Sequence, residues 1–404
     1  MDRLRTARKP PAGKRPTGAA RATSALLAGA LALAVLPGCD SDEHRSASLQ
    51  RATPSERPRT EQFTVAATGD FLLHRILMDQ AAADARGGRR GGFDFMPMLA
   101  RLDPVIGQAD LGVCHVETPL APRSGPFLGY PAFSSPPQIV DAIRRLGYDT
   151  CSTASNHAID QGEAGVRRTL AALDRAGVRH AGTARNAAEA AKTNILDVKG
   201  VKVAHLSYTY GTNGIPKPEG EPWIVNAGLD SGRILADAAR AKRSGADVVL
   251  VSLHWGEEYQ HEATPEQRRL AAALLRSRDV DLILGDHAHV VQPFERINGK
   301  WVVYGMGNQV ANPSANIQAT HEGLVAMFTF TWDPRVRRWG ARPSFVPTLV
   351  AAGPPIRLRT LVRGDSGDQA SIDATTRVVR SLGFKVPDAS DQVTAVKVQR
   401  PGGH

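Results

Sequence analysis

Two histidines separated by one residue follow an aliphatic run in the second half of the chain. The run covers residues 280–284 and predicts a buried strand that ends at Gly285, after which come His287 and His289. Imidazoles at a strand terminus can converge on neighbouring metal ions if the backbone turns there. An isolated pair of this kind is more often a surface or helix-capping feature. Its interpretation as a pair of metal ligands therefore depends on what else reaches the same edge.

Four other strand-like runs also end in side chains that bind metals. Each run ends with a carboxylate, an amide or an imidazole, namely Asp70, Glu117, Asn156 with His157, and His254. The carboxyl ends of strands in α/β sheets form ligand sites, and these donors suit Zn, Mn or Fe. Each residue has an alternative role, since Asp70 or Asn156 could cap a helix and His254 could be a buried, hydrogen-bonded imidazole. Five coincident strand ends favour one shared metal centre.

The elements that would position these residues alternate between short strands and amphipathic helices. Helix signals include apolar spacings that stop at Gly147 and Gly177, and a capping box with proline at residues 264–267. This alternation predicts an α/β domain with largely parallel pairing. One more short helix is expected at residues 368–382. The predicted strands are residues 63–68, 110–116, 148–153, 193–198, 202–209, 247–253, 280–285, 301–305 and 324–332.

Six short motifs, in this order and spacing, resemble the CapA family of bacterial poly-gamma-glutamate capsule biosynthesis proteins. They are Gly-Asp, Glu-Thr-Pro, Asn-His-x-x-Asp-x-Gly, His-Trp-Gly-x-Glu, Gly-x-His-x-His and Tyr-x-x-Gly-Asn, within residues 62–312. The resemblance implies a fold similar to calcineurin-like metallophosphoesterases, a four-layer αββα sandwich of two mixed sheets flanked by helices. It also implies two divalent transition metals, Mn, Zn or Fe, and polyglutamate or a phosphoester as the substrate.

Residue by residue, the resemblance assigns roles at the strand ends. The six implied ligands are Asp70 and His289 for the first metal, Asn156, His254 and His287 for the second, and Glu117 as the bridge between them. His157 would stay off the metals and act near the substrate, protonating a leaving oxygen or stabilising a developing charge. Asp160 and Glu258 would orient imidazoles by hydrogen bonds. Tyr304 and Asn308 would line the site.

Some positions depart from the family pattern. Leu72 stands where the phosphoesterases carry a histidine two residues after the first aspartate, so the first metal site would be completed differently. His74 and Asp286 are extra donors that would compensate. His115 replaces an asparagine two residues before Glu117.

The first 60 residues have the order of an export signal followed by a tether. A basic start leads into an apolar run at residues 25–35, short for a membrane span, and then into Leu36-Pro-Gly-Cys39, which resembles a bacterial lipobox. We expect a lipoprotein signal peptide at 1–39 with lipidation of Cys39, although an ordinary secretory signal with an incidental cysteine is the alternative. The protein would then be exported and anchored to the outer face of the cell membrane.

The rest of the chain divides by composition. We expect a flexible tether at 40–61, a CapA-like metallophosphatase domain at 62–352, and a polar extension with one short helix at 353–404. The net charge of +10 does not predict a nucleic-acid partner, because much of the excess lies before Cys39 and no basic run with interleaved aromatics follows. Cys114 and Cys151 fit either a disulfide or two buried thiols.

Two bound metals would favour hydrolysis, because they lower the pKa of a water molecule towards about 7. Three functions stay open. The first is a surface-anchored hydrolase of the CapA type in poly-gamma-glutamate synthesis or processing. The second is a non-catalytic capsule or wall assembly factor that holds an anionic polymer, and the third is an exported phosphoesterase. The short polar region after residue 352 argues against a separate specificity domain of the kind that nucleotide enzymes of this fold often carry.

Overall fold

The structure, a computed structural model, describes residues 60–85, 92–312, 316–364 and 367–391. The predicted signal peptide, the lipidation site Cys39, nearly all of the predicted tether and residues 392–404 lie outside these ranges.

The strand bounds follow most of the predicted aliphatic runs. The strands are β1 (Gln62–Phe71), β2 (Leu111–Val116), β3 (Thr150–Ser152), β4 (Arg179–Ala181), β5 (Ile195–Val198), β6 (Val201–Thr209), β7 (Val248–His254), β8 (Leu282–Asp286), β9 (Phe294–Ile297), β10 (Lys300–Val303), β11 (Asn308–Val310), β12 (Glu322–Asp333), β13 (Arg338–Ala351) and β14 (Arg357–Thr360).

The helices occupy the connections between strands. They are α1 (Arg75–Asp84), α2 (Met96–Leu99), α3 (Asp103–Ile106), α4 (Ile139–Leu146), α5 (Gly162–Ala176), α6 (Ala187–Ala190), α7 (Ser231–Arg243), α8 (Pro265–Arg276) and α9 (Gln369–Val379), with 3-10 turns at Ala100–Leu102 and Gln318–His321. Among the described residues, no helix is long and apolar enough to cross a bilayer.

The predicted helix signals are confirmed. Helices α4 and α5 end at Gly147 and Gly177, whose φ angles of 94° and 72° lie in the left-handed region that glycine adopts without strain. Helix α8 begins at the capping box, in which the Thr264 side chain accepts from the Gln267 backbone and the Gln267 side chain accepts from the Thr264 backbone.

Two mixed sheets form the centre of the fold. The eight-stranded sheet has the order β14-β13-β12-β1-β2-β3-β4, with β11 paired to β1, and the six-stranded sheet has the order β5-β6-β7-β8-β10-β9. The strands from β1 to β4 and the run β6, β7, β8, β10 are parallel. The meander β12-β13-β14 is antiparallel. The expectation of largely parallel pairing is therefore wrong for this meander.

Three apolar layers hold the sheets and helices together. The inner layer lies between the sheets and includes Val65 and Val113 from one sheet and Leu250 and Leu284 from the other. The outer face of the eight-stranded sheet packs on helices such as α1 and α4. The outer face of the six-stranded sheet packs on α7 and α8. This order of layers confirms the predicted four-layer αββα sandwich.

The chain beyond residue 352 continues the fold. Strand β14 pairs with β13, and α9, which confirms the predicted helix at 368–382, packs on β12 and β13. The predicted boundary at residue 352 itself stays a prediction.

Cys114 and Cys151 are register partners on β2 and β3 and form a disulfide, with a Cα–Cα distance of 4.4 Å.

Candidate metal centre

The six candidate ligands meet at one edge, where β1, β2, β3, β7 and β8 end. All six are buried. Ligand atoms within each of three overlapping groups lie within 4.8 Å of one another. These groups are Asp70, His115 and His254; Glu258, His287 and His289; and Asp70, Glu117 and His289.

Close backbone contact explains the glycine before Asp70. Strand β1 turns against the segment before β11, and the Asp70 amide donates to the Gly307 carbonyl at 3.2 Å. A Cβ atom on Gly69 would lie 1.9 Å from that carbonyl oxygen. The Gly-Asp motif therefore lets β1 deliver the carboxylate where a larger residue would collide with the backbone.

The two histidines after β8 reach the site through an unusual backbone turn. His287 and His289 have φ angles of 94° and 55°, in the left-handed region that non-glycine residues rarely adopt. This turn points the His287 amide at Asp70, to whose two carboxylate oxygens it donates at 3.2 and 3.3 Å. Such strain is concentrated at functional sites, where the surrounding fold holds it in place.

Hydrogen bonds fix the orientation of two imidazoles. The Nε2 atom of His254 lies 2.9 Å from the Asn156 amide oxygen and 3.9 Å from Glu117. The Nδ1 atom of His289 lies 3.2 Å from Asp70 and 3.0 Å from the Asn308 amide oxygen. Asn308 is thus placed behind His289, because the parallel pairing of β1 and β11 sets it opposite Asp70.

Several buried polar atoms at this edge have no hydrogen-bond partner within the described residues. They include both carboxylate oxygens of Glu117, one oxygen of Asp286, and ring nitrogens of His115, His254 and His287. Buried polar groups are nearly always paired, and divalent cations are the partners that carboxylates and imidazoles share. The donor set therefore fits the metal centre that the sequence predicted.

The electrostatics agree with this fit. Burial raises the pKa of Glu117 well above its ordinary range, and the nearby charge of Asp70 raises it further. The pKa of Asp286 is raised well above its ordinary range by burial and then by Asp70 and Glu117. Three acidic groups placed so close together repel one another unless positive charge lies among them.

The histidines divide into two kinds. Burial lowers the pKa of His287 to about 3 and that of His115 to about 4, which keeps them in the neutral form that binds metals. Burial also opposes the charge on His289, but Glu117 and Asp70 outweigh it and raise its pKa to about 10. The carboxylates thus favour a positive charge at this edge, and in the absence of a metal ion they favour the protonated form of His289.

His157 lies outside the three ligand groups. Its Nδ1 atom lies 2.8 Å from the Asp160 carboxylate, and the same oxygen accepts the Phe133 amide at 2.8 Å. The Phe133 ring meets the imidazole edge-on, with the ring centroids 4.8 Å apart. The Asp160 carboxylate therefore holds the His157 ring through its Nδ1 atom.

Two predicted site residues are placed differently. Glu258 is exposed, and its carboxylate belongs to one ligand group with His287 and His289, so it can serve as a ligand itself. Tyr304 does not line the site, because it packs on Trp255 in the outer core and its hydroxyl donates to Glu295 at 2.7 Å.

The two extra donors also differ. His74 lies outside all three ligand groups, with its Nδ1 atom 3.2 Å from the Leu72 carbonyl. Asp286 is buried at the site, and its Oδ2 atom lies 3.8 Å from His115.

The structure adds two residues to the candidate site that the sequence did not assign to it. His115 lies opposite Asp70 in the β1–β2 register, 3.8 Å from its carboxylate. The signal was available, because side chains two residues apart on a strand share a face and His115 precedes Glu117 by two. Tyr210 follows β6, and its ring centroid lies 4.7 Å from that of His287 and 6.3 Å from that of His254.

Comparison with known proteins finds relatives among capsule biosynthesis proteins. The capsule biosynthesis protein CapA of Bacillus anthracis is 26% identical over 271 residues, which are 65% of this chain and 62% of that protein. The PGA biosynthesis protein CapA of Bacillus subtilis is 31% identical over 173 residues, 42% of this chain and 44% of that protein. The chain thus spans less than two thirds of either relative.

Solved structures with related folds are more distant. A calcineurin-like phosphoesterase of Bacillus subtilis is 16% identical with a TM-score of 0.41, covering 78% of this chain and 97% of that one. A sulfate thiohydrolase of Thermus thermophilus is 17% identical with a TM-score of 0.40, covering 81% of this chain and 62% of that one.

The family model described as "Bacterial capsule synthesis protein PGA_cap" matches residues 64–313. Because this match covers more than half of the sequence, the chain belongs to the PGA_cap family of bacterial capsule synthesis proteins.

Proposed function

We propose that this protein acts at the cell surface in poly-gamma-glutamate synthesis or processing, through a metal-dependent hydrolase site. The observation that carries the proposal is the carboxylate of Glu117, which is fully buried among histidines and acids and has no hydrogen bond to either oxygen among the described residues. Membership of the family and the names of the relatives supply the polymer. The predicted lipid anchor at Cys39 supplies the location.

The six candidate ligands would bind two divalent ions, Mn, Zn or Fe. Asp70 and His289 would hold the first, Asn156, His254 and His287 the second, and Glu117 would contact both. Such ions supply Lewis-acid polarisation and a water molecule of lowered pKa. His115 and Glu258 are additional donors within reach.

His157 would handle the proton of the leaving group. Its Nδ1 atom is engaged by Asp160, which fixes the tautomer and the ring orientation. When the ring is protonated, Nδ1–H stays bonded to Asp160, and Nε2–H can pass its proton to the nitrogen or oxygen that leaves when an amide or phosphoester bond breaks. A positioned acid of this kind contributes about 10²–10⁴-fold to a rate.

A second function, assembly without turnover, is favoured by one observation. Leu72 occupies the position at which the phosphoesterases carry a histidine, and it packs with Phe133 and Ala311 in a small apolar cluster. A centre that lacks that donor could hold an anionic polymer through its metals and never cleave it.

Hydrolysis assays separate these functions. The full chain, loaded with Mn or Zn, is incubated with poly-gamma-glutamate and with an aryl phosphate, beside a Glu117→Gln variant. Shortening of polyglutamate by the unmutated protein alone supports the proposal. Aryl phosphate cleavage without polyglutamate cleavage indicates an exported phosphoesterase. Retained metal with no turnover on either substrate indicates the assembly factor.

A further inference from the structure

A second concave region lies between the β4 edge of the eight-stranded sheet and β6 of the other sheet. This groove has a volume of about 1060 Å³, and none of the candidate metal ligands lines it. Its walls come from β4, residues 182–194, β6, the segment around residues 217–226, and α7. Sites for small molecules usually measure about 300–1,000 Å³, so the groove can hold a ligand longer than a single amino acid.

The lining of the groove is basic. Six basic side chains face three acidic ones, and the acidic ones already have partners. Asp174 lies 2.7 Å from Arg185, which also pairs with Glu189. Asp237 lies 2.6 Å from Arg240. The acids therefore compensate only Arg185 and Arg240.

Three other cations contact neutral acceptors among the described residues. These contacts are Arg179 Nε to the Asn194 side chain at 3.1 Å, Lys217 Nζ to the Pro222 carbonyl at 3.1 Å, and Arg233 Nη2 to the Asn226 side chain at 2.6 Å. Burial lowers the pKa of Lys217, and the charge of Arg233 lowers it further. Two like charges beside one groove are stabilised when an anion binds between them.

The groove also offers hydrogen-bond donors that have no acceptor within the described part of the chain. They are the hydroxyl of Ser207, the indole N–H of Trp223 and the Nε–H of Arg240. Ser207 is 1% exposed, so its unpaired hydroxyl costs free energy unless something in the groove accepts from it. Each of these groups can donate to a carboxylate.

We propose that this groove is a second binding site, which holds the carboxylates of a glutamyl chain while another part of the chain reaches the metal centre. The choice of this polyanion rests on the proposed function. The distance from the groove to the metal centre is short. Ser207 lines the groove, and Tyr210 follows it by three residues, about 10 Å at the rise of a strand. The Tyr210 ring in turn lies beside two candidate ligands, His254 and His287. Tyr210 is 44% exposed and accessible to a bound chain.

Binding is tested without metal, so that the metal centre does not contribute. The full chain is stripped with a chelator and titrated calorimetrically with a synthetic gamma-linked glutamate pentamer. The test variant is Lys217→Gln/Arg233→Gln. The control is Arg269→Gln, which removes an exposed, ion-paired cation outside the groove. We expect the double variant to bind the pentamer at least about tenfold more weakly, with the control unchanged. The two single substitutions replace the double variant if its melting temperature falls.

Two results would overturn the inference. One is equal affinity of the double variant and the unmutated protein for the pentamer. The other is inorganic phosphate binding to the unmutated protein as tightly as the pentamer does. The outcome is independent of the hydrolysis assays. Groove binding in a protein that cleaves nothing supports the groove and refutes the catalytic proposal. Cleavage of polyglutamate with pentamer affinity unchanged in the double variant refutes the groove alone.

Discussion

The sharpest prediction concerns Glu117, the buried carboxylate whose two oxygens have no hydrogen bond among the described residues. Replacing it with glutamine keeps the shape and removes the charge. Because burial and Asp70 raise the pKa of Glu117 well above its ordinary range, the neutral amide closely copies the side chain in metal-free protein. We therefore expect the melting temperature of the metal-free Glu117→Gln variant to match that of the unmutated protein, while its affinity for metal falls.

The size of the effect follows from linkage. A ligand at about 100 times its dissociation constant stabilises the native state by about 2.7 kcal/mol. In a domain of 150–250 residues that corresponds to a rise in melting temperature of about 5–10 °C, and to less in a larger one such as this. Thermal scans with and without Mn or Zn, combined with elemental analysis, should show this rise in the unmutated protein and its loss in Glu117→Gln.

His157→Ala is the matched comparison, because His157 is buried at the same edge but lies outside the ligand groups. It should keep both its metal and the metal-dependent rise in melting temperature. Its turnover should fall by about 10²–10⁴-fold. The division of roles would be refuted if the His157→Ala variant lost its metal and the Glu117→Gln variant retained it.

Three further outcomes are expected. The purified protein should retain about two divalent ions after loading, measured by elemental analysis; none retained would contradict the metal centre, and a single ion would follow from Leu72. Asp160→Asn should lower turnover about 10²–10⁴-fold and alter the pH profile while leaving metal content unchanged, since Asp160 contacts His157 and the Phe133 amide and belongs to none of the ligand groups. Cells should incorporate a fatty-acid label into the protein and not into Cys39→Ser, and labelling of that variant would rule out the lipoprotein.

Much of the centre was predictable because parallel strands bring their carboxyl ends to one edge. Asp70 and His115 share a register position, and His254 lies opposite Asp286 on β7 and β8. A polar residue at the end of an aliphatic run therefore carries spatial information even without an alignment. The helices were predictable for a different reason, because their glycine stops and capping box are local signals in the sequence.

The missed elements depend on tertiary pairing. Strand β13 contains Pro343 and Pro347, which lack a donor for a central strand. It tolerates them because pairing on the side away from β12 is discontinuous. Strand β14 pairs only with Thr348–Ala351, and between the two prolines Phe345 forms an isolated bridge with Asp388. Glu258 reaches the histidines through a loop turn at Tyr259, whose φ is 65° and whose amide donates to the Ala288 carbonyl at 2.8 Å. No local pattern encodes that contact.

The leucine at position 72 and the histidine at position 115 are best understood together. The side chain of Leu72 is buried with Phe133, so the segment after β1 contributes packing at the position where the family resemblance implied a ligand. His115 approaches the same carboxylate from the neighbouring strand, with its ring nitrogens 3.8 Å from Asp70 and from Asp286. An imidazole supplied from β2 has the donor chemistry that Leu72 lacks. The centre can therefore keep its number of nitrogen donors while drawing them from a different strand.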